Sequence, residues 1–165
     1  MKLTVRRATI LSGALWLAIG INLLLKGAHY LSKAASAVIS GTHLEFSLIK
    51  KLTEYTKNPQ QSVLILICFA LIVGFFKGRV VFKRTVKRVI ARIRDHAPTI
   101  SLFRIYSKKF LLLILGMMGL GMTLKYLPLP DDVKGLIDFA VGVALINGAT
   151  LYFREAFLEQ KKSEL

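Results

Sequence analysis

The chain has 165 residues, 54% of them hydrophobic, and a formal net charge of +15. A soluble basic domain keeps its apolar residues on periodic faces, whereas this chain gathers them into blocks with the charges between the blocks. The segregation argues against a soluble nucleic-acid-binding domain and predicts an integral membrane protein. The single cysteine, Cys68, excludes an intrachain disulfide and lies inside an apolar block.

Four apolar blocks have the length and composition of membrane-spanning helices, which need about 20 residues to cross the hydrocarbon core. None of the blocks alternates apolar and polar residues in the manner of a barrel strand. The sequence therefore predicts an all-α integral membrane protein, with residues 1–165 forming a single transmembrane domain. The predicted transmembrane helices cover residues 8–26, 62–82, 108–127 and 135–153.

The loop between the first two spans, residues 27–61, carries the pattern of a further short helix. Thr42 and Glu45 fit a capping box, and Asn58-Pro59 is a stop signal. A one-sided apolar stripe lies between these signals and comprises Leu44, Leu48, Leu52 and Tyr55. We expect a helix on the outer membrane face, serving either as an interfacial anchor or as a lid over a pathway.

A basic inner segment, residues 83–107, follows the second span. Apolar residues recur in its first part at helical spacing, and Lys and Arg occupy much of the remainder. This pattern predicts a basic cytoplasmic amphipathic helix suited to an anionic membrane surface, ending before Pro98. Two hypotheses remain open, a topology signal without a ligand and a binding site for acidic lipid headgroups or an acidic partner. No nucleic-acid-binding module is recognisable, so we expect no nucleic acid.

The distribution of Lys and Arg predicts the orientation of the four spans. Seventeen of the 24 would lie on the side of both termini, and seven on the other side. Since cytoplasmic loops carry the excess of basic residues, both termini are predicted to be cytoplasmic, in a bacterial inner membrane or its equivalent.

The second and fourth spans are related by a constant shift of 70 residues, at which small residues recur every four positions. Such residues line one face and let two helix backbones approach closely. The pattern suggests two helical hairpins forming a parallel tandem repeat; the alternative is two glycine-rich helices that simply pack well. The candidate helix-packing residues are Ala70, Gly74, Gly78, Ala140, Ala144 and Gly148.

Packing of the two related spans would bring basic residues together near the inner headgroups. Such a cluster could cradle a phosphate or a carboxylate. The alternative is a set of independent side chains, each reaching the interface separately. The candidate anion-binding residues are Lys77, Arg79, Arg84 and Arg154.

Asp138 is the acid that lies within a predicted span, near the start of the fourth. It has a structural interpretation, since the helix dipole and Lys134 would both favour its charge. It has a functional interpretation as a proton- or cation-coupling carboxylate, neutralised by Lys26 or Lys125. Two asparagines within spans could bridge helices or line a polar path, namely Asn22 and Asn147.

The sequence contains no recognisable catalytic constellation, metal-ligand motif or phosphate-binding loop, so it predicts neither an enzyme nor a cofactor. Two functions remain. One is a small transporter or lipid-handling protein, as a monomer or a homodimer, that binds an anionic group at the inner cationic cluster. The other is a non-catalytic scaffold or accessory subunit that docks membrane-protein partners. Anionic membrane lipids are expected partners in either case.

Overall fold

The computed structural model describes residues 5–41, 47–95 and 126–163, together with the single positions 119 and 123. The regular elements in these residues are all α-helices, which confirms the predicted all-helical class for this part of the chain. The four helices are α1 (Val5–Ile39), α2 (Leu48–Thr56), α3 (Pro59–Asp95) and α4 (Asp131–Ser163).

Three of these helices are long and apolar enough to cross a membrane. Many large apolar side chains on α1 and α3 are exposed, including Leu25, Leu64 and Phe76 at 64%, 62% and 66%. Exposed apolar surface on this scale is uncommon in soluble monomers and is what a lipid-facing helix requires. The candidate membrane segments are Thr9–Ile39, Pro59–Val80 and Asp131–Leu158.

The predicted third span, residues 108–127, lies mostly outside the described residues. Gly119, Thr123 and Tyr126 within it are helical, and the Thr123 hydroxyl donates a hydrogen bond to the Gly119 carbonyl at 2.8 Å.

Local signals in the sequence explain where α3 and α4 begin. Asn58 accepts a hydrogen bond on its side-chain oxygen from the Gln60 amide at 2.9 Å, and Pro59 occupies the first helical position. Both residues suit a helix start, because Asn satisfies a free amide and Pro has none to satisfy. The first turn of α4 contains Asp131 and Asp132, whose negative charges complement the positive end of the helix dipole.

Small residues spaced seven apart form the contact between α1 and α4, the most extensive in the bundle. Gly20 lies against Gly142, and Gly27 lies against Gly135, so the two helices are antiparallel. A Cβ atom on Gly27 would lie 2.5 Å from the backbone nitrogen of Phe139, so glycine is what allows the two backbones to approach this closely. The two strips are Gly13, Gly20, Gly27 and Ala34 on α1 and Gly135, Gly142, Ala149 and Ala156 on α4.

α3 packs on another face of α4 and runs parallel to it. A Cβ atom on Gly74 would lie 2.5 Å from the Ala140 carbonyl oxygen, and one on Gly78 would lie 2.9 Å from that of Ala144. Because both helices advance in the same direction, the carboxyl end of α3 and the amino end of α4 lie at opposite ends of the bundle.

α2 packs against the end of the bundle where α4 begins, which we call the α2 end. Ile49 is fully buried there, in a cluster with Leu31, Ala34 and Leu66. The short helix predicted in this loop is therefore present, and its buried face holds it against α1 and α3.

The details of α2 differ from the sequence prediction. Ser47 is the N-cap residue, and its side chain accepts a hydrogen bond from the Lys50 amide at 3.2 Å. The predicted capping pair, Thr42 and Glu45, lies outside the described residues and precedes the observed start of the helix. Tyr55 is 88% exposed and does not belong to the buried face. The burial of Ile49 was not predicted, because a nine-residue helix makes only a short periodic signal.

The basic segment after the second span is the continuation of α3, which is unbroken from Pro59 to Asp95. Val86 and Ile90 are 2% and 3% exposed and share a buried cluster with Tyr152 of α4. The prediction that this apolar face lies on a membrane surface is wrong for these two residues, because α4 covers them. We call this end, where α3 and α4 finish and α1 begins, the basic end.

Candidate functional site

Asp132 attaches α2 to the start of α4. Its side chain is buried, and one carboxylate oxygen accepts hydrogen bonds from the Ser47 hydroxyl at 2.8 Å and the Ile49 amide at 3.1 Å. The other oxygen accepts a hydrogen bond from the Val133 amide at 2.8 Å. The first amides of a helix lack internal partners and carry partial positive charge, so a carboxylate is well suited to this position. Neither Asp132 nor Ser47 was singled out from the sequence.

A cluster of hydroxyl groups joins α2 to the start of α3. The Ser62 hydroxyl is fully buried and lies 3.0 Å from the Thr53 hydroxyl and 2.7 Å from the Thr56 hydroxyl. Lys57 between the two helices adopts a left-handed conformation with φ of 58°, which reverses the chain direction. These contacts and Asp132 fix α2 on two sides.

Asp138 forms an ion pair with Lys26 of α1, with 3.1 Å between the Lys26 ammonium nitrogen and a carboxylate oxygen. The Asp138 side chain is 7% exposed and that of Lys26 is 37% exposed. The Lys26 ammonium also lies 5.7 Å from the centroid of the Tyr30 ring, within cation–π range. Of the lysines considered from the sequence, the structure therefore places Lys26 beside the carboxylate.

A second ion pair lies closer to the α2 end, where Lys33 of α1 contacts Asp131 at 3.0 Å. The aspartates at positions 131 and 138 thus contact α1, and the one at position 132 contacts the start of α2. We call this group of three contacts the α4 clamp. It orders the α2 end by pairing each of these carboxylates with a group on a neighbouring helix.

We predict that removing Lys26 alone destabilises the protein more than removing both members of its pair. Lys26→Met leaves a buried carboxylate without its counter-charge and is expected to lower the free energy of unfolding by about 1–3 kcal/mol. This is below the range for a fully buried pair, because the Lys26 side chain is 37% exposed and its interaction with Asp138 is weaker than one between two buried groups. Lys26→Met/Asp138→Leu should recover most of the loss. Denaturant titration of helicity in detergent measures both, and equal losses would contradict the prediction.

The predicted anion-binding residues are not gathered into one cradle among the side chains that the structure describes. Lys77, Arg79 and Arg154 are exposed. Lys77 and Arg79 flank Gly78, whose face packs against α4, so they extend from opposite sides of α3. Arg79 lies 5.5 Å from the Phe75 ring centroid. The Arg84 side chain lies outside the description.

The two predicted intramembrane asparagines differ in their surroundings. Asn22 is exposed on α1, one turn before Lys26. Asn147 donates a hydrogen bond from its amide nitrogen to the Val143 carbonyl of its own helix at 3.1 Å, and it packs beside Gly78. The bond therefore stays within α4 and does not bridge two helices.

The small residues singled out from the sequence lie between α3 and α4. Ala70 is 1% exposed and clusters with Phe139 and Val143. Gly74 and Gly78 contact α4 at Ala140 and Ala144 as described above, and Gly148 is buried. The seven-residue strips between α1 and α4 were missed, although their spacing is visible in the printed sequence. A search for intervals of seven in addition to four would have found them.

The described residues contain no group of three or more His, Cys, Asp or Glu side chains placed to hold a metal ion. No protein-family model matches the chain, and no curated protein or solved structure matches it. The class is therefore defined by the fold: an all-helical protein with three helices able to cross a membrane and a short helix closing one end.

Proposed function

We propose that the protein is a non-catalytic membrane scaffold or accessory subunit that docks partner proteins. The observation that supports this most directly is the length of α3. It continues from Val80 to Asp95, about 22 Å, and remains packed against α4 through Val86 and Ile90. The other face of this continuation carries exposed cations, Lys83, Lys87 and Arg88, and so presents a charged surface to another protein.

We further propose that residues 108–127 form a fourth span, as the sequence predicts. The parallel course of α3 and α4 supports this, because the chain between Asp95 and Asp131 has to return along the bundle. Such a return would pair α1 with α3 and the fourth span with α4 as two hairpins. In this proposal the basic end is cytoplasmic, in accordance with the excess of Lys and Arg on that side.

A transporter or lipid-handling protein is the second candidate, and the Lys26–Asp138 pair favours it. A nearly buried carboxylate between two membrane-type helices is a common element of ion coupling. The divergence of Lys77 and Arg79 does not favour an anionic substrate held between them. Separate exposed cations are suited instead to contact with individual anionic lipid headgroups.

Reconstitution distinguishes the two candidates. For the purified full-length protein in liposomes, we expect no charge movement on a solid-supported membrane after jumps in pH, phosphate or carboxylate concentration. Cross-linking in native membranes should instead yield discrete complexes of higher mass. A saturable current that disappears in Asp138→Asn, with insertion and helicity unchanged, would reject the scaffold in favour of the transporter.

A further inference from the structure

We propose that the basic end of the bundle binds an acidic amphipathic segment of a partner protein. The inference rests on the scaffold function proposed above and specifies the chemistry of its partner. The surface combines exposed cations from two helices with two exposed apolar side chains from a third, and we call it the basic tip. Its described members are Arg6 and Arg7 on α1, Lys87 and Arg88 on α3, and Phe157 and Leu158 on α4.

Helix register places these residues at one level of the bundle. α1 runs against α4 with Gly20 opposite Gly142, so the first residues of α1 lie beside the last turns of the α4 apolar segment. α3 runs parallel to α4, and its buried Ile90 shares a cluster with Tyr152. The cations of α1 and α3 therefore lie near Phe157 and Leu158, although the chain positions are far apart.

The charge of the tip selects an acidic partner. Residues 81–95 of α3 contain six Lys and Arg against the single Asp95. Arg154 is exposed nearby on α4, while Glu155 beside it is half-buried. A surface of one sign attracts and orients an oppositely charged segment before contact is made.

The apolar part of the tip selects an amphipathic partner. Phe157 is 68% exposed and Leu158 is 46% exposed, and they occupy the last two positions of the candidate membrane segment of α4. An exposed aromatic side chain bordered by cations is a typical anchor for an amphipathic helix, which supplies apolar residues on one face and acids at its edges. Nucleic acid would leave these apolar side chains without a partner.

The geometry favours a protein over a lipid surface. Lys87 and Arg88 belong to a helix that continues along α4 in the direction of the bundle, whereas a helix adsorbed to a membrane lies in the plane of its surface. A helix that lies on a membrane must also turn its apolar face to the lipid. Val86 and Ile90 are buried against α4 and cannot do so.

The test uses the full-length protein in nanodiscs of zwitterionic lipid and a fluorescein-labelled synthetic helix with Leu on one face and Glu at its edges. We expect saturable binding in fluorescence anisotropy that weakens as salt rises. Lys87→Gln/Arg88→Gln should weaken it by about three- to tenfold, as expected for two exposed charge pairs. Phe157→Ser should weaken it separately. Lys50→Gln/Lys51→Gln, which removes two exposed charges at the α2 end, should leave it unchanged.

The outcomes are distinct. Absence of peptide binding overturns the inference, as does an equal loss in the α2-end control or equal binding of a peptide with Lys in place of Glu. If the peptide does not bind but vesicles with anionic lipid bind more strongly to the wild type than to Lys87→Gln/Arg88→Gln, the tip contacts membranes. If cross-linked complexes are still found when the peptide does not bind, the scaffold function stands and only the acidic partner is rejected.

Discussion

Gly27→Ala is expected to separate α1 from α4 and to lower the free energy of unfolding by about 1–3 kcal/mol. The new methyl group would lie 2.5 Å from the Phe139 nitrogen and 2.8 Å from the Gly135 carbonyl oxygen. Both are backbone atoms of a helix, so neither can move aside as a side chain would. The loss should occur although alanine is intrinsically favoured over glycine within a helix. Denaturant titration in detergent, followed by circular dichroism, measures it.

Gly119→Ala is the matched control, because none of the residues that the structure describes lies within 4 Å of a Cβ atom at Gly119. It makes the same chemical change at a helical position and is expected to be neutral or slightly stabilising. If Gly27→Ala unfolds at the same denaturant concentration as the wild type, the close approach of α1 and α4 is not important for stability.

Asp132→Ala is expected to release α2 from the end of the bundle. The Ser47 hydroxyl and the Ile49 amide would both lose their acceptor in a buried position, with an expected cost of about 2–4 kcal/mol. Hydrogen exchange followed by mass spectrometry should detect this locally, as exchange of the α2 amides accelerated by about 30-fold or more. Amides in the centre of α1 should change much less.

The neighbouring Asp131 provides the control, because its contact with Lys33 lies at the surface. The side chains of Lys33 and Asp131 are 64% and 32% exposed. Asp131→Asn should therefore have little effect on α2, since exposed ion pairs contribute little. Equal acceleration in both variants would show that general charge at the start of α4, and not the specific cap by Asp132, holds α2.

The helical class and the presence of helices long and apolar enough to cross a membrane could be predicted from the sequence, because both follow from composition over long windows. The start of α3 at Asn58-Pro59 could also be recognised, since its signal is local. The start of α2 could not, because Ser47 acts together with an aspartate 85 positions away. Sequence patterns indicate helix caps made by residues that are neighbours along the chain. A cap made by a residue far away in the sequence leaves no such pattern.

The candidate site was predictable to a similar degree. The small residues of α3 were recognised from their spacing, and Lys26 was one of the partners considered for Asp138. The cationic cradle depended on side-chain direction around α3, and Gly78 determines that direction by turning its own face toward α4. The closeness of Lys77 and Arg79 in the sequence therefore did not show whether their side chains point toward the same site.

The central position of α4 has a consequence for how the protein is made. α4 forms the largest contacts with both α1 and α3, whereas α1 and α3 contact each other much less. It also leaves the ribosome after α1 and α3. Until then the glycine faces of α1 and α3 have no α4 to pack against, so the contacts that define the fold form late and span most of the chain. Long-range closure of this kind is intrinsically slow, and the interval before α4 arrives is when other membrane proteins or chaperones have access to those faces.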